Sequence, residues 1–141
     1  MKQKRAAGYN LIIIIFLLAV LLAIVISLSR IVLNSMRFAE NQVIGLEALY
    51  LAEAGIEKAK YNLKKNPGWY TDLPHAPIDD VDWIIGPSNG KAVSSPDGEI
   101  KMIREKDKLR AYSIGRANNA TRIIKIEFEL SPFKLTAWQM L

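Results

Sequence analysis

The residues best suited to chemistry are few and scattered. There is one histidine and no cysteine in 141 residues, which removes disulfides and thiolate metal sites. His75 lies between Pro74 and Ala76, and no motif sets a nucleophile or an acid beside it. Acid–base catalysis needs partners within hydrogen-bond reach, so His75 by itself predicts none. Gly86-Pro87-Ser88-Asn89-Gly90 reads as turns rather than as a phosphate-binding loop. Asp79, Asp80 and Asp82 offer the hard oxygens that calcium takes in sixes to eights, but their spacing is not that of an EF-hand. An acidic loop is more often a solvated one. The expectation is a non-enzyme with no cofactor, calcium at this triplet being the one metal to test.

Charge gives a second candidate. From Ile100 to Lys125 stand Lys101, Arg104, Lys106, Lys108, Arg110, Arg116, Arg122 and Lys125, against Glu105 and Asp107. A basic sheet edge near Tyr112 could touch phosphates. The plainer reading is solvated strand faces and turns, where lysine also discourages edge pairing. The net charge is +5, but Lys2, Lys4 and Arg5 supply three of the nineteen basic residues; without them sixteen face fourteen acids. Nucleic acid is therefore not the expected partner.

Any function has to be positioned by an N-terminal apolar run. Leu11 to Ile26 is sixteen unbroken apolar residues, and no charge falls between Arg5 and Arg30. At about 1.5 Å per residue a helix over that interval crosses a hydrocarbon core of roughly 30 Å. Lys2, Lys4 and Arg5 precede it, so the positive-inside rule keeps the N-terminus cytoplasmic and sends the rest across. A secretory signal shares that orientation but has a shorter apolar region of about 7 to 15 residues and a small-x-small cleavage site. Ser27-Leu28-Ser29 is only a weak version of such a site.

Beyond Arg30 helical character continues to Lys65 without a proline. Gly45, Ala48, Ala52, Gly55 and Ala59 recur at spacings of 3, 4, 3 and 4, which sets them on one face, with Leu49, Ile56 and Leu63 as a flanking stripe. Internal glycine costs about 1 kcal/mol relative to alanine, so close packing along that face is the expected compensation. Asn66-Pro67-Gly68 is a firm stop. The spacing predicts one helix from about Asn10 to Lys65, on the order of 80 Å long. Residues 9–29 form its membrane half and residues 30–65 its amphipathic half. Residues 66–98, with five of the six prolines, read as a connection holding one short strand at Val81 to Ile85. Residues 99–130 read as an antiparallel meander with strands at Ile100 to Arg104, Leu109 to Gly115 and around Ile124 to Leu130, turning at Lys106-Asp107 and Asn118-Asn119. Residues 131–141 read as a tail. The fold class expected is α+β: one long helix packed against a small antiparallel sheet of three to four strands.

This arrangement resembles type IV pilins and type II secretion pseudopilins, and the residues agree. A short basic leader ending in Gly8, followed by Tyr9 and the apolar run, resembles a prepilin peptidase site. "LAEAGIEKAKYNL", Leu51 to Leu63, is similar to the Ala-Glu-Ala-Gly segment of PilX-like minor pilins and tip pseudopilins, and "SPFKLTAWQML" to the Trp-containing endings of that group. The resemblance implies that a leader of residues 1–8 is cut after Gly8 and that Tyr9 becomes an N-methylated terminus. It implies other pilin or pseudopilin subunits, the prepilin peptidase and the inner-membrane assembly platform as partners. Major pilins carry a glutamate at the fifth mature position, held to pair with a neighbour's amino terminus; counted from Tyr9 that position is Ile13. A carboxylate there costs about 2.5 to 3.5 kcal/mol on insertion scales, so a subunit that never docks beneath an earlier one has no use for it.

The function expected is that of a non-catalytic minor pilin or pseudopilin that helps to initiate, cap or decorate a type IV pilus or a type II secretion pseudopilus. It would sit in the bacterial inner membrane, single-pass with a periplasmic body, before entering the fibre. The alternative is a single-pass membrane-anchored periplasmic binding module that never assembles. A soluble body released after Ser29 is the third reading, and it would expose an apolar helix.

Overall fold

The computed structural model describes residues 3–75 and 80–141, with side chains from Asn10 onward. It divides after Asn41 into two units, Met1–Asn41 and Gln42–Leu141. Helix α1, Gln3–Lys65, supplies all of the first and the opening of the second. No proline interrupts it, and lysines 64 and 65 in its last turn suit the negative end of the helix dipole. Its end is closed locally. The Asn66 N–H bonds Asn62 O at 2.8 Å, and the Asn66 side chain accepts from Gly68 N at 3.0 Å, while Pro67 cannot extend the ladder.

In the second unit five strands follow: β1 Lys91–Ser95, β2 Gly98–Ile103, β3 Arg110–Ala117, β4 Ala120–Leu130 and β5 Phe133–Met140. They form one antiparallel meander in chain order. The turn at Asn118-Asn119 joins Ala117 to Ala120 with Asn118 at φ 48°, the left-handed geometry that two-residue hairpins favour. Ser131-Pro132, a cis peptide bond, joins β4 to β5.

Both faces of the sheet are covered. On one, Ala52, Ile56 and Leu63 of α1 pack on Ala111, Ile124, Ile126 and Phe128, and Ala48 and Leu51 pack near Ala117. On the other, the short helix α2, Val81–Ile85, inserts Ile84 among Ile103, Tyr112, Ile114 and Ile123. Two faces explain why β3 is buried along nearly its whole length instead of alternating.

Three expectations change. The sheet has five strands, not three or four. Val81 to Ile85 is helix, not strand: Asp80 caps it by accepting from Trp83 N at 3.2 Å, and Ile84 buries against the outer face, which together override the β-propensity of Val-Asp-Trp-Ile-Ile. The connection also contains β1, short and polar apart from Ala92 and Val93, and the tail is β5. β5 is almost wholly exposed, so burial never imposed on it the alternation that marks a strand.

Candidate functional site

The first unit is a surface without a partner. From Leu11 to Leu33 every large apolar side chain is exposed. The described polar groups within it are satisfied internally: Ser27, Ser29 and Ser35 donate to the carbonyls of Ala23, Val25 and Ile31 at 2.8 to 2.9 Å. A helix with internally bonded hydroxyls and no charge from Asn10 to Ser29 suits hydrocarbon or the apolar flank of another helix. Ile13 presents only an apolar surface there. Gly8 and Tyr9 lie within α1, and their side chains fall outside the described residues.

In the second unit the small-residue face of α1 meets the sheet. Ala48, Ala52 and Ala59 are fully buried, Gly55 is buried and Gly45 half-buried. The closest approach is to a sheet glycine that spacing did not reveal. A methyl on Gly115 would stand 2.0 Å from Ala48 O and 2.4 Å from Ala52 N. One on Gly55 would stand 2.0 Å from Ser113 Oγ, a fully buried hydroxyl with no hydrogen-bond partner. Helix backbone and strand backbone touch here, which side chains of any size would prevent.

Most of the basic run works inside the fold. The Lys101 ammonium donates to Gly86 O at 2.6 Å, and Arg116 donates to Ile85 O at 2.7 Å, so both serve the carbonyl end of α2. Arg104 is buried and donates to Pro67 O and Trp69 O, fixing the chain as it leaves α1, with its guanidinium over the Phe128 ring. Burial lowers the pKa of both Lys101 and Arg104, the Arg116 charge adding to the effect on Lys101. Arg110 bonds Glu105 at 2.8 Å, and Lys125 lies 3.0 Å from Glu127. Lys106, Lys108 and Arg122 are left to face solvent or turns.

Glu105 is the polar centre that sequence reasoning passed over. Its side chain is 2% exposed, and it accepts from Arg110 and, at 2.6 Å, from His75 N. Burial pushes its pKa up, but the His75 N–H, the Arg110 hydrogen bond and charge, and Lys108 together outweigh that and hold it below the usual glutamate value. The His75 ring stacks on Trp83 at 4.5 Å between centroids, with Nε2 3.6 Å from Asp80 Oδ2. The acidic triplet does not converge: Asp80 caps α2, Asp82 is exposed in its first turn, and Asp79 lies outside the described residues. Among the described residues no group of three or more His, Asp or Glu side chains is placed to hold a metal.

These features amount to an unpartnered apolar helix that continues into a helix seated on a small sheet. Residues 7–57 match the PilX N-terminal family. That family is the N-terminal segment of type IV minor pilins, so the PilX-like recognition holds over those residues. The match takes in the Gly8-Tyr9 junction, the whole apolar run and the Ala52 to Ile56 segment. No curated protein matches the chain, and neither does any solved structure.

Proposed function

We propose that the chain is a minor pilin or pseudopilin, a non-catalytic structural subunit that initiates, caps or decorates a type IV pilus or a type II secretion pseudopilus. The observation that carries the reading is the family match over residues 7–57, a stretch in which an exposed apolar helix leads into the half of α1 that packs on the sheet. The leader is cut after Gly8 by the prepilin peptidase, and Tyr9 becomes the N-methylated terminus. Residues 9–29 anchor the subunit in the inner membrane with its body in the periplasm. The assembly platform then moves the subunit into a fibre, where the same apolar surface meets the helices of other pilin subunits. The absence of a carboxylate at Ile13 supports a place at the start of the fibre, above which no earlier subunit needs to be engaged.

The test is the intact mass and N-terminal sequence of the protein from membranes, with and without the host's prepilin peptidase. The expected result is a peptidase-dependent start at Tyr9 carrying one added methyl. A start at Met1 in both strains would make the chain an anchored binding module, and a start at Arg30 a released body; either ends the pilin reading. Immunogold labelling along the whole fibre, instead of at one end, would refute the initiating position.

A further inference from the structure

The sheet ends in two unpaired edges of unlike character. β5 is the longer, eight residues without a proline, and its outward N–H and C=O groups face no strand. On the α1 side it also leaves apolar surface bare. Leu135, Trp138 and Met140 stand opposite Phe128, Ile126 and Ile124, which the helix covers, yet Trp138 is 50% exposed. Between Trp138 and the helix lies a cleft of about 240 Å³ lined by Glu53, Ile56, Glu57 and Lys60. Lys60 is taken by Glu57 at 2.6 Å, whereas Glu53 has no ion pair among the described residues. A free carboxylate beside an open indole is a seat for a cation, through ion pairing and the face of the ring.

The opposite edge carries such a cation. Val93 of β1 lies opposite Ile100, whose side chain reaches Gly55 of α1, so Val93 and, two residues earlier, Lys91 stand on the α1 side of the sheet. Lys91 is exposed and makes no ion pair among the described residues. In an antiparallel sheet of five strands the two edges run in the same direction. A second copy held in the same orientation therefore brings its β1 alongside β5 as a parallel strand.

We propose that β5 of one copy takes up β1 of a second copy as a sixth strand, with the incoming Lys91 seated between Glu53 and Trp138. The contact is head-to-tail, so each added copy still presents a free edge and the array propagates instead of closing. This deepens the proposed function, on which it rests for the common orientation of the copies.

Because the chain has no cysteine, introduced pairs report cleanly. Ala92 pairs with Lys101 and Ala137 with Glu127, which sets both alanines on the face away from α1. The full-length chain carrying Ala92→Cys and Ala137→Cys, oxidised in membranes, is expected to give a ladder of dimers, trimers and longer species. Ser94→Cys in place of Ala92→Cys covers a two-residue shift of register. Lys91→Glu should lower the ladder about fivefold, and Glu53→Lys in the same chain should restore it. No ladder from either pair, or a ladder indifferent to Lys91→Glu, overturns the proposal. Dimers from Ala137→Cys alone, without longer species from the pairs, would mean two β5 edges meeting and would overturn it too. Loss of the ladder in protein correctly begun at Tyr9 refutes this contact alone, whereas protein never cut at Tyr9 refutes the subunit reading.

Discussion

Replacing Gly115 by alanine should pry α1 off the sheet, and the size of the effect can be worked from the seam. The new methyl would lie 2.0 Å from Ala48 O, 2.4 Å from Ala52 N and 2.9 Å from Leu51 Cβ. Two of these neighbours are helix backbone and cannot rotate away, so the helix must retreat until the first contact exceeds 3.0 Å, a movement of about 1 Å. A gap of that size forfeits a quarter to a half of the dispersion energy across a contact, along a seam that buries Ala48, Leu51, Ala52, Ile56, Ala59 and Leu63. The expected cost is about 3 kcal/mol, the upper end for overpacking. In a unit of about a hundred residues that lowers the melting temperature by roughly 12 to 24 °C. The control is Gly45→Ala, also on the small-residue face. Its nearest neighbour is Arg122 Nη2 at 3.3 Å, the mobile end of a long side chain. There alanine should gain about 0.5 to 1 kcal/mol of helix propensity and raise the melting point. Both variants would be measured as full-length protein in detergent by near-ultraviolet circular dichroism. Melting of Gly115→Ala within a few degrees of the parent would show that the helix–sheet seam is not the constraint argued above.

Ser113→Ala should stabilise the fold by about 1 kcal/mol, because it removes a buried hydroxyl that has no partner. The same change should soften Gly55→Ala, whose methyl meets that hydroxyl at 2.0 Å, and a double-mutant cycle should show coupling of about 1 kcal/mol or more; strict additivity would contradict the contact. The lowered pKa of Glu105 means that its contribution is complete above the ordinary glutamate value near 4.3 and is lost as pH falls through the lower folded value. Denaturant titrations from pH 6 to pH 3 should show that loss in the parent and a smaller one in Glu105→Gln. That variant should already be about 2 to 3 kcal/mol weaker at neutral pH, since Arg110 stays buried without its charge partner.

Much of the architecture is legible because its signals are local. Sixteen apolar residues in a row, a proline-free stretch to Lys65 and the Asn66-Pro67-Gly68 stop define α1, since each acts through neighbours in the chain. The alternation of Ile124, Ile126, Phe128 and Leu130 marks β4 because only one face of that strand meets a helix. β5 gave no such sign, because an exposed edge needs no pattern. The reading of Val81 to Ile85 failed where a capping aspartate and one buried isoleucine outweighed β-propensity.

What the sequence determines by itself is the α+β class, the apolar assembly segment and the PilX-like N-terminal stretch, all carried by residues close together in the chain. Tertiary structure alone decides which charges remain available. Lys101, Arg104, Arg110 and Arg116 look like a basic patch in one dimension, yet Glu105 and the carbonyls of Pro67, Trp69, Ile85 and Gly86 reach them across 5 to 37 residues. It also decides that Gly115 is where the helix touches down, since a glycine reveals its purpose only through the backbone brought against it. Contacts between distant segments leave no period in the sequence, because they are set by how the layers stack and not by the repeat of any one element.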